Sequence, residues 1–162
     1  MQDLPRSFKL VTVWLLLGLP VFLAIQAWQH RQAQTRFKVE GELIEIRRSP
    51  DGHYHWPGSI NGRPVDFLID TGATLTAVSS VLAQELKLDS LGPVRSSTAG
   101  GIVTGNLVRV DIRLQGGVQA DRLRVVALPG LGDRPLLGMD LLGRLKWSQA
   151  SGVLRIDART AS

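Results

Sequence analysis

Cysteine is absent from the chain, which excludes a disulfide scaffold, a cysteine nucleophile, a Cys-ligated zinc module and an iron–sulfur centre. Also lacking are a phosphate loop, a dinucleotide fingerprint and a nucleophile-elbow serine. No internal repeat and no βαβ spacing occur, so a parallel α/β architecture is not expected. With 162 residues the chain is too short for a multidomain machine. A positive excess does exist, +5 overall, but it is unevenly placed. Residues 1–38 hold five basic residues against Asp3, giving +4, whereas residues 39–162 hold 14 basic against 13 acidic, giving +1. The larger part is therefore nearly neutral, and no nucleic-acid partner is expected.

One long apolar run is present. Leu10 to Trp28 reads LVTVWLLLGLPVFLAIQAW, 19 residues without a charge. As a helix it would span about 28 Å, close to the hydrocarbon thickness of a bilayer. A cleaved signal peptide is the alternative, but the run exceeds the usual apolar length and no Ala-x-Ala site follows. The expectation is an uncleaved transmembrane anchor over 10–28, after a short tail over 1–9, with Lys9, Trp28 and Arg31 as interfacial anchors. Basic residues flank both ends, so charge does not choose an orientation. Residues 29–52 turn polar and read as a tether: Val39, Leu43 and Ile46 are too sparse for a core, though ELIEI fits one short strand. The folded domain is expected over 53–157, with a tail over 158–162.

Within that domain the pattern is one of strands and turns. His53–Ile60 and Arg63–Ile69 flank Asn61-Gly62, a strong type I′ hairpin signal, so the second strand ends at Asp70. A strand over Leu75–Ser79 leads to a short helix capped by Ser79 or Ser80, with Val81, Leu82, Leu86 and Leu88 on its apolar side. Residues 91–105 are rich in Gly, Ser and Thr and suggest a mobile loop or hairpin. Alternation then marks a strand to Leu114, a turn at Gly116-Gly117 and a partner strand over Val118–Leu128. PLLGMDLLGRL gives a short strand, a glycine turn and a short helix. LKWSQASGVLRI closes as a hairpin that packs or joins subunits. Together these predict an all-β fold, a small closed β domain with one or two short helices.

Chemistry concentrates at Val65-Asp66-Phe67-Leu68-Ile69-Asp70-Thr71-Gly72-Ala73-Thr74. An apolar strand fixes Asp70, Gly72 permits a tight turn that turns amides toward the carboxylate, and Thr71 is able to hydrogen-bond within the loop. A surface Asx turn at a strand end reads the bare Asp-Thr-Gly equally well.

Two motifs in order narrow the choice. LIDTGATLTAVS, followed about 65 residues later by LLGMDLLGRL, resembles the retropepsin-like aspartic protease family, in particular its membrane-anchored bacterial members with one catalytic loop per chain. The likeness runs from Tyr54 to Ile156. It implies a retropepsin-like acid protease fold with Asp70 as catalytic aspartate, Thr71 interlocking two loops, and Gly72 and Ala73 completing the loop. Leu136, Leu137 and Gly138 would pass behind that loop and support it. It further implies a homodimer, since a dyad needs two carboxylates and one chain supplies one. Gly100, Gly101, Ile102 and Val103 match the flap that closes over a peptide or protein substrate. Thr74 stands where retroviral relatives carry a second Asp, and the flap has no aromatic residue. The activity implied is aspartic endopeptidase, in a bacterial inner-membrane protein with a periplasmic domain and no cofactor. The competing reading is a catalytically inactive dimeric peptide-binding or scaffolding domain.

Other polar residues receive lesser roles. His53 and His55, with Asp51 or Asp66, form a weak zinc pattern lacking a convincing third ligand, so no metal is expected. Asp140 is expected to cap the short helix. Asp66 shares the nominal strand face of Asp70, with solvent exposure preferred.

Overall fold

The computed structural model describes residues 16–26, 36–39, 43–98 and 100–158. The chain divides into two units, residues 1–34 and Thr35–Ser162.

In the first unit, helical residues 16–26 form α1, and all of them are exposed. The eleven described residues rise about 16 Å, half of what a bilayer core demands. Among the described residues no helix is long and apolar enough to cross a membrane. This overturns the transmembrane anchor over 10–28. The membrane as a partner, the inner-membrane location and the periplasmic domain were inferred with that anchor and are overturned with it. Positions 1–15 and 27–35 of the expected tail, span and tether lie outside the described residues, as do 40–42, Ala99 and 159–162.

The second unit is built on strands β1 (Arg36–Val39), β2 (Leu43–Arg47), β3 (His55–Ile60), β4 (Arg63–Ile69), β5 (Ala77–Ser79), β6 (Ser90–Thr98), β7 (Gly101–Leu114), β8 (Val118–Leu128), β9 (Leu136–Leu137), β10 (Lys146–Ala150) and β11 (Val153–Asp157). Helix α2 (Ser80–Glu85) follows β5, and α3 (Met139–Leu142) follows β9. The larger sheet runs β1-β8-β5-β9-β4-β3-β7-β6, and β8 also pairs with β7. That extra pairing closes β8, β5, β9, β4, β3 and β7 into a ring, so none of these six is an edge strand, while β1 and β6 flank it. Pairs β4–β9 and β5–β8 are parallel, and the remaining pairs are antiparallel. The second sheet is β10-β11-β2.

Local chemistry accounts for these elements. Asn61 and Gly62 both have positive φ, 49° and 83°, as a type I′ turn requires, and they join β3 to β4. Ser79 caps α2 by accepting from the N–H of Leu82 at 3.1 Å. The alternation along β7 places Val108, Val110, Ile112 and Leu114 in the core with Trp56, Ile60, Phe67, Val118 and Val125. Trp56 is 1% exposed, and its indole N–H donates to the carbonyl of Gln115 at 2.9 Å, so the largest core side chain leaves no orphan donor. Gly58 faces the carbonyl of Arg113, a close approach between β3 and β7 that no Cβ would permit. The LIEI of the expected short strand lies in β2 against β11, and Ile46 enters the core beside Leu154 and Ile156.

The Gly/Ser/Thr-rich stretch is an antiparallel hairpin, β6 with β7, whose last pair is Thr98–Gly101. Of its apolar side chains Val94 and Val103 are partly buried, as is Leu107 just beyond it. They pack on a second small cluster of Ala77, Val126 and Leu128.

Candidate active site

Asp70 follows the last residue of β4, and its backbone is held on two sides. In the parallel β4–β9 pairing Leu68 lies opposite Leu136 and Ile69 opposite Leu137. One residue further, the N–H of Asp70 donates to the carbonyl of Leu137 at 3.0 Å. On the other side the N–H of Ile69 donates to the carbonyl of Tyr54 at 3.0 Å. The chain then turns: the N–H of Ala73 donates to the Asp70 carbonyl at 3.2 Å, and the N–H of Gly72 donates to Asp70 Oδ1 at 2.8 Å. A Cβ on Gly72 would lie 3.2 Å from that same oxygen, so the glycine here provides room for the carboxylate rather than an unusual φ. Asp70 is half-buried, while Thr71, Gly72 and Thr74 are exposed. The hydroxyl of Thr71 makes no hydrogen bond among the described residues, so the bond within the loop that the sequence suggested is not formed.

Behind the loop, the segment after β9 crosses it closely. The N–H of Met139 donates to the carbonyl of Ala73 at 2.8 Å, and the N–H of Asp140 to that of Thr74 at 3.1 Å. Gly138 is buried, and a Cβ there would stand 2.5 Å from the carbonyl carbon of Leu75. Thr76, 0% exposed, ties the crossing together. Its hydroxyl accepts from the N–H of Gly138 at 3.1 Å and donates to Asp140 Oδ1 at 2.8 Å, and its own N–H donates to the same oxygen at 3.0 Å.

Asp140 therefore does not cap α3. Gly138 occupies the N-cap position without a side-chain bond, and the carboxylate turns back onto Thr76. Sequence reasoning missed the Thr76–Asp140 pair. Its signal was two polar residues set inside the apolar stretches LTAV and LLGMDLL.

Burial pushes the Asp140 carboxyl above its ordinary range, against the opposing pull of the Thr76 bonds, and its Oδ2 is buried without a partner. A raised folded-state pKa contributes stability below the ordinary carboxylate value of 3.8 that is lost as pH rises through the folded value. Asp140→Asn keeps an acceptor for Thr76 without a charge. It is expected to raise stability at pH 7 by about 1 kcal/mol, with the gain shrinking toward zero as pH falls below the ordinary carboxylate value. Urea melts at pH 7 and pH 3.5 check this; a gain that grows on acidification would reverse the assignment.

The flap residues separate by strand parity. Ile102 is 66% exposed, whereas Val103 packs with Leu136 on the Ala77, Val126 and Leu128 cluster. Gly100 and Gly101 are exposed at the hairpin end. Val103 and Leu136 thus pack on one cluster, and Ile102 is exposed at the alternate strand position.

His55, Asp51 and Asp66 also meet. His55 Nε2 lies 2.7 Å from Asp51 Oδ2 and Nδ1 lies 3.2 Å from Asp66 Oδ2, so each ring nitrogen faces a different carboxylate. Arg134 Nη1 reaches the same Asp51 oxygen at 3.4 Å. This clasp links the loop before β3 to β4 and to the segment before β9, and His53 takes no side-chain part in it. The N–H of His53 and then the His55 imidazole hold the Asp51 carboxyl below its ordinary range. That contribution is present above 3.8 and is lost as pH falls through the lowered folded value.

Residues 56–144, from β3 to just beyond α3, match the family model described as "gag-polyprotein putative aspartyl protease". The match covers more than half of the chain. The chain belongs to this aspartyl protease family. An uncharacterized protein of Rickettsia prowazekii (strain Madrid E) is 34% identical to this family member over 109 residues, 65% of this chain and 46% of that protein. The chain thus spans less than half the length of that relative. The crystal structure of a retropepsin-like aspartic protease from Rickettsia conorii superposes with a TM-score of 0.57 at 23% identity, covering 75% of this chain and 95% of that one. The aspartyl protease family member therefore has the retropepsin-like fold. The membrane-anchored branch suggested by the sequence is not supported, because no described helix is long and apolar enough to cross a membrane.

Proposed function

We propose that the chain is an aspartic endopeptidase in which Asp70 supplies one of two catalytic carboxylates and an identical chain supplies the other. One observation carries the reading: Asp70 sits half-buried at the end of a barrel strand, its backbone fixed by Leu137 and its Oδ1 bonded to the Gly72 amide. A carboxylate held by a backbone amide in a rigid loop is preorganised for proton transfer. The chain holds a single Asp-Thr-Gly, so the second carboxylate comes from a second copy related by two-fold symmetry.

In the paired site, two close carboxylates retain one proton between them, because both cannot ionise at short range. A water lies between them. The ionised carboxylate takes a proton from the water as its oxygen attacks the scissile carbonyl, and the protonated one donates to the carbonyl oxygen. Collapse of the tetrahedral species sends a proton to the leaving nitrogen and breaks the C–N bond. Both acids titrate as a pair, so neither copy owns a microscopic pKa. Ala73, Leu136, Leu137 and Gly138 hold the loop, and Thr71 lies where a partner loop would meet it. The hairpin end would cover an extended peptide through Gly100, Gly101 and Val103, which are exposed or half-buried, and Thr74, exposed on the loop, would add a side-chain contact.

Incubating the full chain with a diverse peptide library, alongside Asp70→Asn, tests the reading. Cleavage confined to the unsubstituted protein and blocked by a statine-type inhibitor is expected. Peptide binding without cleavage by a verified dimer across pH 4–8 would instead support the inactive scaffold.

A further inference from the structure

Four non-glycine residues have left-handed backbone among the described residues, and three of them, Asn61, Lys87 and Arg122, line one cleft of about 530 Å³. Asn61 is an ordinary occupant of its hairpin turn. The two cations are not ordinary. Lys87, at φ 50°, stands just past the C-cap of α2, where its N–H donates to Gln84 at 3.0 Å and the next N–H, of Leu88, reaches back to Ala83 at 2.9 Å. Glycine usually completes that double bond pattern. Arg122, at φ 57°, occupies the bulge where the β7–β8 register slips between Val110–Leu123 and Ile112–Ala120. A left-handed bulge position again favours glycine. Two long cations kept in strained backbone beside the same cavity point to a role for the cavity rather than to the needs of the chain path.

A third cation converges there. Arg109 lines the cleft, and its Nε is buried without a hydrogen-bond partner. Neither Lys87 nor Arg109 has an ion-pair partner among the described residues. The acidic groups lining the cleft are Asp89 and Asp111, and Asp111 Oδ1 already accepts from the backbone N–H of Arg122 at 2.7 Å. Leu88 and Leu91 add apolar wall. Guanidinium groups match carboxylate and phosphate oxygens, and the volume is that of a small-molecule site.

We propose that this cleft binds a small organic anion, with its carboxylate or phosphate head among Lys87, Arg109 and Arg122 and its apolar body against Leu88 and Leu91. The site lies at the opposite end of β4 from Asp70, about 23 Å of strand away, and does not depend on the peptidase reading.

Titrating the full chain with phenyl phosphate, benzoate and inorganic phosphate at fixed ionic strength, followed by amide chemical shifts, tests the assignment. Saturable shifts centred on Lys87, Arg109 and Arg122 are expected, with phenyl phosphate or benzoate binding about tenfold tighter than inorganic phosphate. The tighter of the two aromatic probes identifies the head group. Arg109→Gln is expected to weaken that binding about tenfold. Lys87→Gly is expected to weaken it several-fold while raising the ligand-free Tm, since glycine relieves the backbone strain. Absence of saturation by either aromatic probe, shifts centred elsewhere, or undiminished binding in both variants would overturn the proposal.

Discussion

On the proposed reading, Asp70→Asn is expected to lower peptide-bond cleavage by at least about 10³-fold while the protein stays folded. The amide cannot accept the proton of the attacking water, so the loss falls on turnover rather than on substrate binding. The fold is expected to survive because Asn retains an oxygen for the Gly72 N–H, now 2.8 Å from Asp70 Oδ1, and the Asp70 N–H bond to Leu137 involves backbone alone. Mixing supplies a sharper readout. If each site needs one carboxylate from each of two copies, equal amounts of wild type and Asp70→Asn, allowed to exchange, leave about a quarter of the dimers wild type. Activity should fall to about a quarter of that of an undiluted all-wild-type sample at the same total chain concentration. Activity equal to half of that sample would mean that each chain works alone, and would sink the shared-dyad mechanism while leaving Asp70 as a catalytic group.

Much of the barrel was legible because its signals are local. Asn61-Gly62 specifies a turn whatever surrounds it, alternation along Leu107–Leu114 sets the buried face, and Ser79 caps a helix through its own hydroxyl. What stayed hidden depends on partners distant in sequence. Ile46 looked isolated because its neighbours, Leu154 and Ile156, lie more than a hundred residues away across the β2–β11 pairing. Asp140 read as a helix cap since it stands at the start of a short helix just after Gly138-Met139, whereas Thr76, 64 residues earlier, claims its oxygen. The apolar run over 10–28 met the length rule for a membrane span by hydropathy alone, whereas no described helix is long and apolar enough to cross a membrane. Hydropathy also says nothing about the cleft of Lys87, Arg109 and Arg122, whose residues only meet once β7, β8 and α2 are in place.

Gly138→Ala should carry the largest stability effect of any single methyl addition near the candidate site. The added Cβ would stand 2.5 Å from the carbonyl carbon of Leu75, 2.7 Å from its oxygen and 2.8 Å from the nitrogen of Thr76. All three are backbone atoms, so no side-chain rotation relieves the overlap and one of the two crossing segments has to move. Either movement stretches the bonds from Met139 to Ala73 and from Asp140 to Thr74, and loosens the Thr76 hydroxyl from the Gly138 N–H. A cost of about 3 kcal/mol is expected, at the upper end of overpacking penalties because hydrogen bonds are lost with the fit. Gly132→Ala serves as the control, as nothing lies within 4 Å of its added Cβ, and should change stability by less than about 0.5 kcal/mol. Urea melts of both variants decide the point. Since the Asp70 N–H hangs on the Leu137 carbonyl, immediately before Gly138, any peptidase activity in Gly138→Ala should fall even below the unfolding midpoint; full activity with lost stability would mean that the crossing holds the barrel but not the carboxylate.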